Sequence, residues 1–127
     1  MTNSRSREAA QRFADRRKRE DDAPRLASEV PSLATLRLAV EERRATVTAA
    51  ESKHLRHVIV DRAPALFVIP CGDPSCEGGG YDLTSPVMRE LRAHRTSFEV
   101  DDECFGNVGT TRCGRVVHAV GTATYRS

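Results

Sequence analysis

The chain has 127 residues and a formal net charge of +2, and domains usually run to about 100–150 residues, which argues against a two-domain enzyme. Leu, Ile, Val and Phe total 26 of the 127 residues and Trp is absent, a composition close to that at which burial alone no longer holds a core, so a further constraint is expected. No apolar run approaches the roughly 20 residues of a bilayer span, and the N-terminus lacks the apolar stretch of a signal peptide, so the expected compartment is the cytoplasm, where thiols stay reduced.

Residues 1–20 carry seven basic and three acidic side chains, residues 21–63 seven of each, and residues 64–127 six and eight. Positive charge is thus concentrated at the N-terminus. Residues 1–32 hold only Met1, Phe13, Leu26 and Val30 as large apolar side chains, so they are expected to form a basic tail, helical or disordered. Within it, Ser6 to Glu20 places Ala9, Ala10, Phe13 and Ala14 on one helical stripe. Arg12, Arg16, Arg17 and Arg19 cover much of the remaining surface, as on a helix that forms on a partner or on a solvated, fraying segment. Of the 20 basic residues 18 are Arg, beside 15 Ala; GC-rich coding produces that bias, so the Arg excess alone is no sign of a nucleic-acid partner.

Leu33 to Arg44 fits two patterns: Leu36, Leu38 and Val40 alternate as in a strand, while Leu33, Leu36 and Val40 also make a helical stripe. The strand reading is preferred. Val58-Ile59-Val60 and Ala65 to Ile69 read as two further strands. A helix is expected with Ser85 as N-cap, Pro86 at its first position and Val87, Met88 and Leu91 on its buried face. Phe98 and Val100 alternate on a following strand, and Arg115 to Tyr125 puts Val117, Ala119, Ala123 and Tyr125 on one side of the last. The expected fold over residues 33–127 is α+β: a small, mostly antiparallel sheet of about five strands with one helix, stapled by metal.

The staple is expected from Cys71-Gly-Asp-Pro-Ser-Cys76 and from Cys104 and Cys113, which are eight residues apart. A strand running into a short Cys-to-Cys loop brings two thiolates to one side at about 2.3 Å from a tetrahedral Zn²⁺. Pro74 and the glycines suit the first loop, and Gly106, Gly109 and Gly114 would let the second fold back. Buried unliganded thiols and disulfides are the alternatives. A redox pair is disfavoured, because the low-pKa arrangement has two intervening residues at a helix N-terminus rather than four after a strand. His118 reads as a packed or edge histidine rather than a ligand, His94 as a helix C-terminal residue, and His54 and His57 as solvated.

These residues resemble those of zinc-ribbon-like four-cysteine modules. The likeness covers residues 65–125 and rests on Cys71, Cys76, Cys104 and Cys113 with their flanking glycines; the wide second gap and the intervening helix depart from it. The resemblance implies one structural Zn²⁺ on four thiolates, which leaves no open position for catalysis. Pro70-Cys71-x₄-Cys76 is not part of a zinc deaminase signature, since no His has Glu two residues later, and Gly78-Gly79-Gly80 lacks the Lys-Ser/Thr of a P-loop. Asp101-Asp102-Glu103 reads as a solvated charge run. The expected function is that of a non-enzymatic, zinc-stabilised protein-interaction module. The alternative is a nucleic-acid-binding protein that contacts phosphates through Arg12, Arg16, Arg17, Lys18 and Arg19.

Overall fold

The structure, a computed structural model, describes residues 4–46, 50 and 52–126, excepting the side chains of residues 4–9, 12 and 13. Helix α1 (Ser4–Asp22) and one-turn α2 (Leu26–Glu29) precede strands β1 (Leu33–Arg44), β2 (Ser52–Val58), β3 (Val68–Pro70) and β4 (Gly80–Asp82). Helix α3 (Thr84–Arg92) then leads to β5 (Ser97–Glu103), β6 (Asn107–Val108), β7 (Thr111–Arg112) and β8 (Arg115–Tyr125). The main sheet is antiparallel with the order β2-β1-β8-β5, and β3-β4 and β6-β7 form two small ribbons. The α+β class and the small antiparallel sheet agree with expectation. The helices agree in part: α3 is the one helix described beyond residue 32, as expected, while α1 and the unexpected turn α2 lie in the stretch read as a tail.

A bulge resolves the ambiguity of β1. Its register against β8 slips between Leu33 and Thr35, and the extra residue turns both Leu33 and Leu36 inward although they are three apart. What reads as a helical stripe is a strand with one inserted residue. Beyond the bulge Leu36, Leu38, Val40 and Glu42 alternate inward with period two. On β8 the inward set is Arg115, Val117, Ala119, Gly121 and Ala123. Gly121 lies opposite Phe98 of β5, and a Cβ there would run into the Phe98 ring; the ring fills the place of a side chain on the neighbouring strand.

The sheet's inward face meets Leu26, Val30, Phe67, Ile69, Tyr81, Leu83, Val87, Met88 and Leu91 in one core. Leu26 and Val30 are 0% and 3% exposed, so the stretch expected to lie wholly in a tail contributes to packing. It is held there by backbone: the Leu26 N–H donates to Ala63 and the Ala65 N–H to Pro24. Two large apolar residues in a polar stretch suffice when α2 presents both to the same core.

Two other elements sit differently from expectation. The strand expected at Val58-Ile59-Val60 is instead the charged run Ser52–Val58, and Ile59 begins a turn whose carbonyl accepts the N–H groups of Arg62 and Ala63. An end strand exposed on both faces needs no apolar alternation. Helix α3 begins at Thr84, two residues before Pro86; the first-turn N–H groups have no intrahelical partner, so Pro costs nothing there. Asp82 accepts the Thr84 N–H at 3.1 Å. At its C-terminus His94 adopts φ 55°, and the His94 and Arg95 N–H groups bond to Leu91 and Glu90 as a Schellman cap. The stripe Val87, Met88 and Leu91 is buried as expected.

Replacing a buried leucine with alanine typically costs about 2–5 kcal/mol. Leu26→Ala should fall in that range by denaturant unfolding, as Leu91→Ala should; a negligible change for Leu26→Ala would return α2 to the tail.

Candidate metal centre

Four chain segments deliver the cysteines. Cys71 follows β3 directly, and Asp73-Pro74-Ser75-Cys76 closes a turn in which the Cys76 N–H donates to the Asp73 carbonyl and the Ser75 N–H to the Asp73 carboxylate. Cys104 follows β5 directly, its N–H donating to the Arg115 carbonyl of β8. The eight-residue gap that makes the second pair unusual is a hairpin, β6-β7, closed by the Cys113 N–H on the Gly106 carbonyl. The two loops then pair with each other through Glu77 and Asn107, which exchange N–H···O bonds of 2.8 and 3.2 Å.

All four Sγ atoms lie within 4.8 Å of one another, with Cys71 and Cys113 at 3.7 Å and Cys76 and Cys104 at 3.6 Å. A tetrahedron with bonds of about 2.3 Å has edges of about 3.8 Å, so the spacing fits a bound ion. A disulfide would need about 2.05 Å, and all four thiols are free. Gly79 and Gly106 face each other beside the sulfurs; a Cβ on either would enter the space of the Cys76 sulfur. Only glycine at both positions lets the loops close on the cluster.

The thiols are not equivalent. Burial pushes Cys71 up, and it pushes Cys76 up to about 12. Burial also works against Cys104, but the Gly106 N–H, the Cys76 thiol and the Gly80 N–H donate to its sulfur and hold it below the ordinary value. The Asp73 N–H donates likewise to the Cys71 sulfur at 3.5 Å. Such a set of buried and half-buried thiols with amide donors matches a cation that would convert all four to thiolates, and the four residues could hold a metal ion.

Beside the cysteines sits a buried polar group that composition and motif reading pass over. Glu42 of β1 is 5% exposed. Its Oε1 accepts from Arg115 at 2.8 Å, and its Oε2 from the Tyr81 hydroxyl at 2.8 Å and the Gly72 N–H at 2.9 Å. Burial disfavours the Glu42 carboxylate, yet these donors outweigh it and hold its carboxyl below the usual range; burial and that carboxylate in turn push the Tyr81 hydroxyl up. The cluster joins the main sheet (Glu42, Arg115) to both sides of the first cysteine loop (Gly72, Tyr81). A sequence signal existed: Glu42 continues the inward alternation of Leu38 and Val40, and Arg115 that of Val117.

The remaining candidates lie elsewhere. His118 faces away from the core, with Nδ1 at 2.6 Å from Asp101 and Nε2 at 3.6 Å from Glu99. Ser32 meets His94, which stacks on Tyr125. Of the basic N-terminal residues, Lys18 pairs with Asp22 and Arg19 with Asp82, while Arg16 and Arg17 line a groove shared with Glu20 and Asp21. Arg12 carries no described side chain. No helix among the described residues is long and apolar enough to cross a membrane.

No protein-family model, curated protein or solved structure matches this chain.

Removing one member of a buried ion pair costs about 3–5 kcal/mol, so Glu42→Ala should destabilise by that order in denaturant, and Glu42→Gln combined with Arg115→Met should recover part of the loss. The Asp101 hydrogen bond raises His118 above its ordinary 6.5. The raised value means that its contribution to stability is complete below about 6.5 and disappears as pH rises through the folded value. Melting temperatures of His118→Gln should therefore lack a decline that the parent shows on the alkaline side of 6.5.

Proposed function

We propose that this chain is a non-catalytic protein-interaction module whose fold is closed by one structural Zn²⁺ on Cys71, Cys76, Cys104 and Cys113. The convergence of four sulfurs at tetrahedral spacing carries this reading. Four protein thiolates fill the coordination of Zn²⁺, so the ion holds the loops together and has no position for a substrate or reactive water. A cytoplasmic setting, in which thiols stay reduced, suits such a site. The other buried charged groups, Glu42 and Arg115, bond to each other and to the loop, which occupies both oxygens of Glu42 with fixed donors. What the fold offers to the outside is surface: Leu55, Ile59 and Phe105 are exposed large apolar side chains.

A nucleic-acid function draws less support. Asp22 and Asp82 engage Lys18 and Arg19, and two carboxylates stand in the groove with Arg16 and Arg17. Among the described side chains of the Arg-rich segment, two are thus already paired with carboxylates.

The purified chain should contain one equivalent of zinc by elemental analysis. Apparent binding free energies of structural zinc reach about 10–16 kcal/mol, so Cys71→Ser or Cys104→Ser should lose both metal and the cooperative thermal transition. A metal-free chain with an unchanged transition would overturn the structural role. Binding of duplex DNA with a slope of log affinity against log salt near −3 or steeper, at about −0.9 per phosphate contact, would overturn the choice of partner.

A further inference from the structure

Among the described residues β2 ends the main sheet and is paired only along its β1 side. Such a strand presents a row of N–H and C=O groups spaced to pair with another extended chain. Its seven residues include Lys53, His54, Arg56 and His57 and no acid, and Ser52 to His57 are all exposed. His54 and Arg56 border a groove of about 740 Å³ that Arg16, Arg17, Glu20 and Asp21 of α1 and Glu42 of β1 also line, so the bases nearest the free edge are those of β2 itself. By alternation Lys53, Leu55 and His57 lie on the opposite face, where Leu55 is 52% exposed.

We propose that β2 captures an acidic, extended peptide segment of another protein as an added strand. The proposal rests on the interaction-module reading and specifies the partner's chemistry. Backbone pairing would supply the register, and the partner's alternating side chains would meet two basic sets, one in the groove and one on the outer face. Basic side chains on an edge keep off neutral strands and other copies of the same edge, but they favour a strand that brings carboxylates. The opposite end strand, β5, carries Glu99, Asp101, Asp102 and Glu103, so the same peptide is repelled there. A nucleic acid fits less well: β2 has no aromatic residue for base stacking, and its free backbone row has no counterpart on a nucleotide.

The test uses the full zinc-loaded chain, observed by amide NMR during titration with a synthetic peptide of alternating Glu and Val. Shifts should concentrate in Ser52–Val58 and in Arg16 and Arg17. Affinity should fall about tenfold or more, some 1.4 kcal/mol, on Lys53→Glu with Arg56→Glu, both at exposed positions, and binding should be lost when alternate peptide amides are N-methylated. A Lys/Val peptide should not bind. Equal binding by the N-methylated peptide, shifts centred elsewhere, or tighter binding of a single-stranded oligonucleotide to the same residues would overturn the proposal. So would concentration-dependent self-association abolished by Glu99→Lys with Asp101→Lys, which would assign the edge to a second copy's β5. Absence of peptide binding in a chain with full zinc and an unchanged melting temperature overturns this proposal alone, whereas zinc-independent folding overturns the reading beneath it.

Discussion

Four sulfur atoms gathered within 4.8 Å cannot all ionise without a cation among them, and the rest of the structure is arranged around that constraint. Burial holds Cys71 and Cys76 protonated, while at Cys104 the amide and thiol donors outweigh it. A divalent ion held there would reverse this balance by pairing with every thiolate at once, and the free energy of its binding would become free energy of folding. The composition needs such a contribution, with 26 large aliphatic and Phe residues among 127. Residues 104–113 make the point locally: β6 and β7 have two residues each, too few to persist as an isolated hairpin, and they hold their place through Cys104, Cys113 and the bridge to Glu77.

Glu42 carries the constraint from the loops into the sheet. Its carboxylate reaches the first cysteine loop on one side and the root of β8 on the other, and the Arg115 carbonyl accepts the Cys104 N–H. A charge pair whose side chains are 9% and 7% exposed is a poor source of net stability, because desolvation offsets the Coulomb gain. Its value lies in orientation. Each oxygen of Glu42 has a donor fixed to a different element, so the sheet and the cysteine loops are held in one mutual position.

Much of this was legible in the residues. The period-two patterns of β1, β5 and β8 and the apolar stripe of α3 follow from elementary geometry, and the four cysteines marked a common site before their distances were known. Three features were not, for physical reasons. The bulge in β1 imitates helical spacing, because one inserted residue turns a separation of three into same-face neighbours. α2 is a single turn whose placement depends on backbone bonds to residues 63 and 65, distant in sequence. β2 is mostly polar, with Lys53, His54, Arg56 and His57 among its seven residues, since an end strand open on both faces requires no apolar alternation. Glu42 lay in plain view in its strand pattern, but its partners Tyr81 and Gly72 come from elements joined only by the tertiary fold.

The sheet's outer face shows why the chain leaves it uncovered. Asp101, His118, Glu41 and Lys53 lie opposite one another in register across β5, β8, β1 and β2, so the charges run acid, base, acid, base over the full width. His118 contacts Asp101 at 2.6 Å, and Lys53 contacts Glu41 at 3.6 Å. Individual exposed pairs contribute little, but the row satisfies the cross-strand preference for opposite charges at every step. The alternation also fixes which sign each end presents, because four strands carrying alternating charges must finish on opposite ones. Along this row the basic end at β2 and the acidic end at β5 follow from the same alternation that solvates it, and the even strand number makes its two ends chemically distinct.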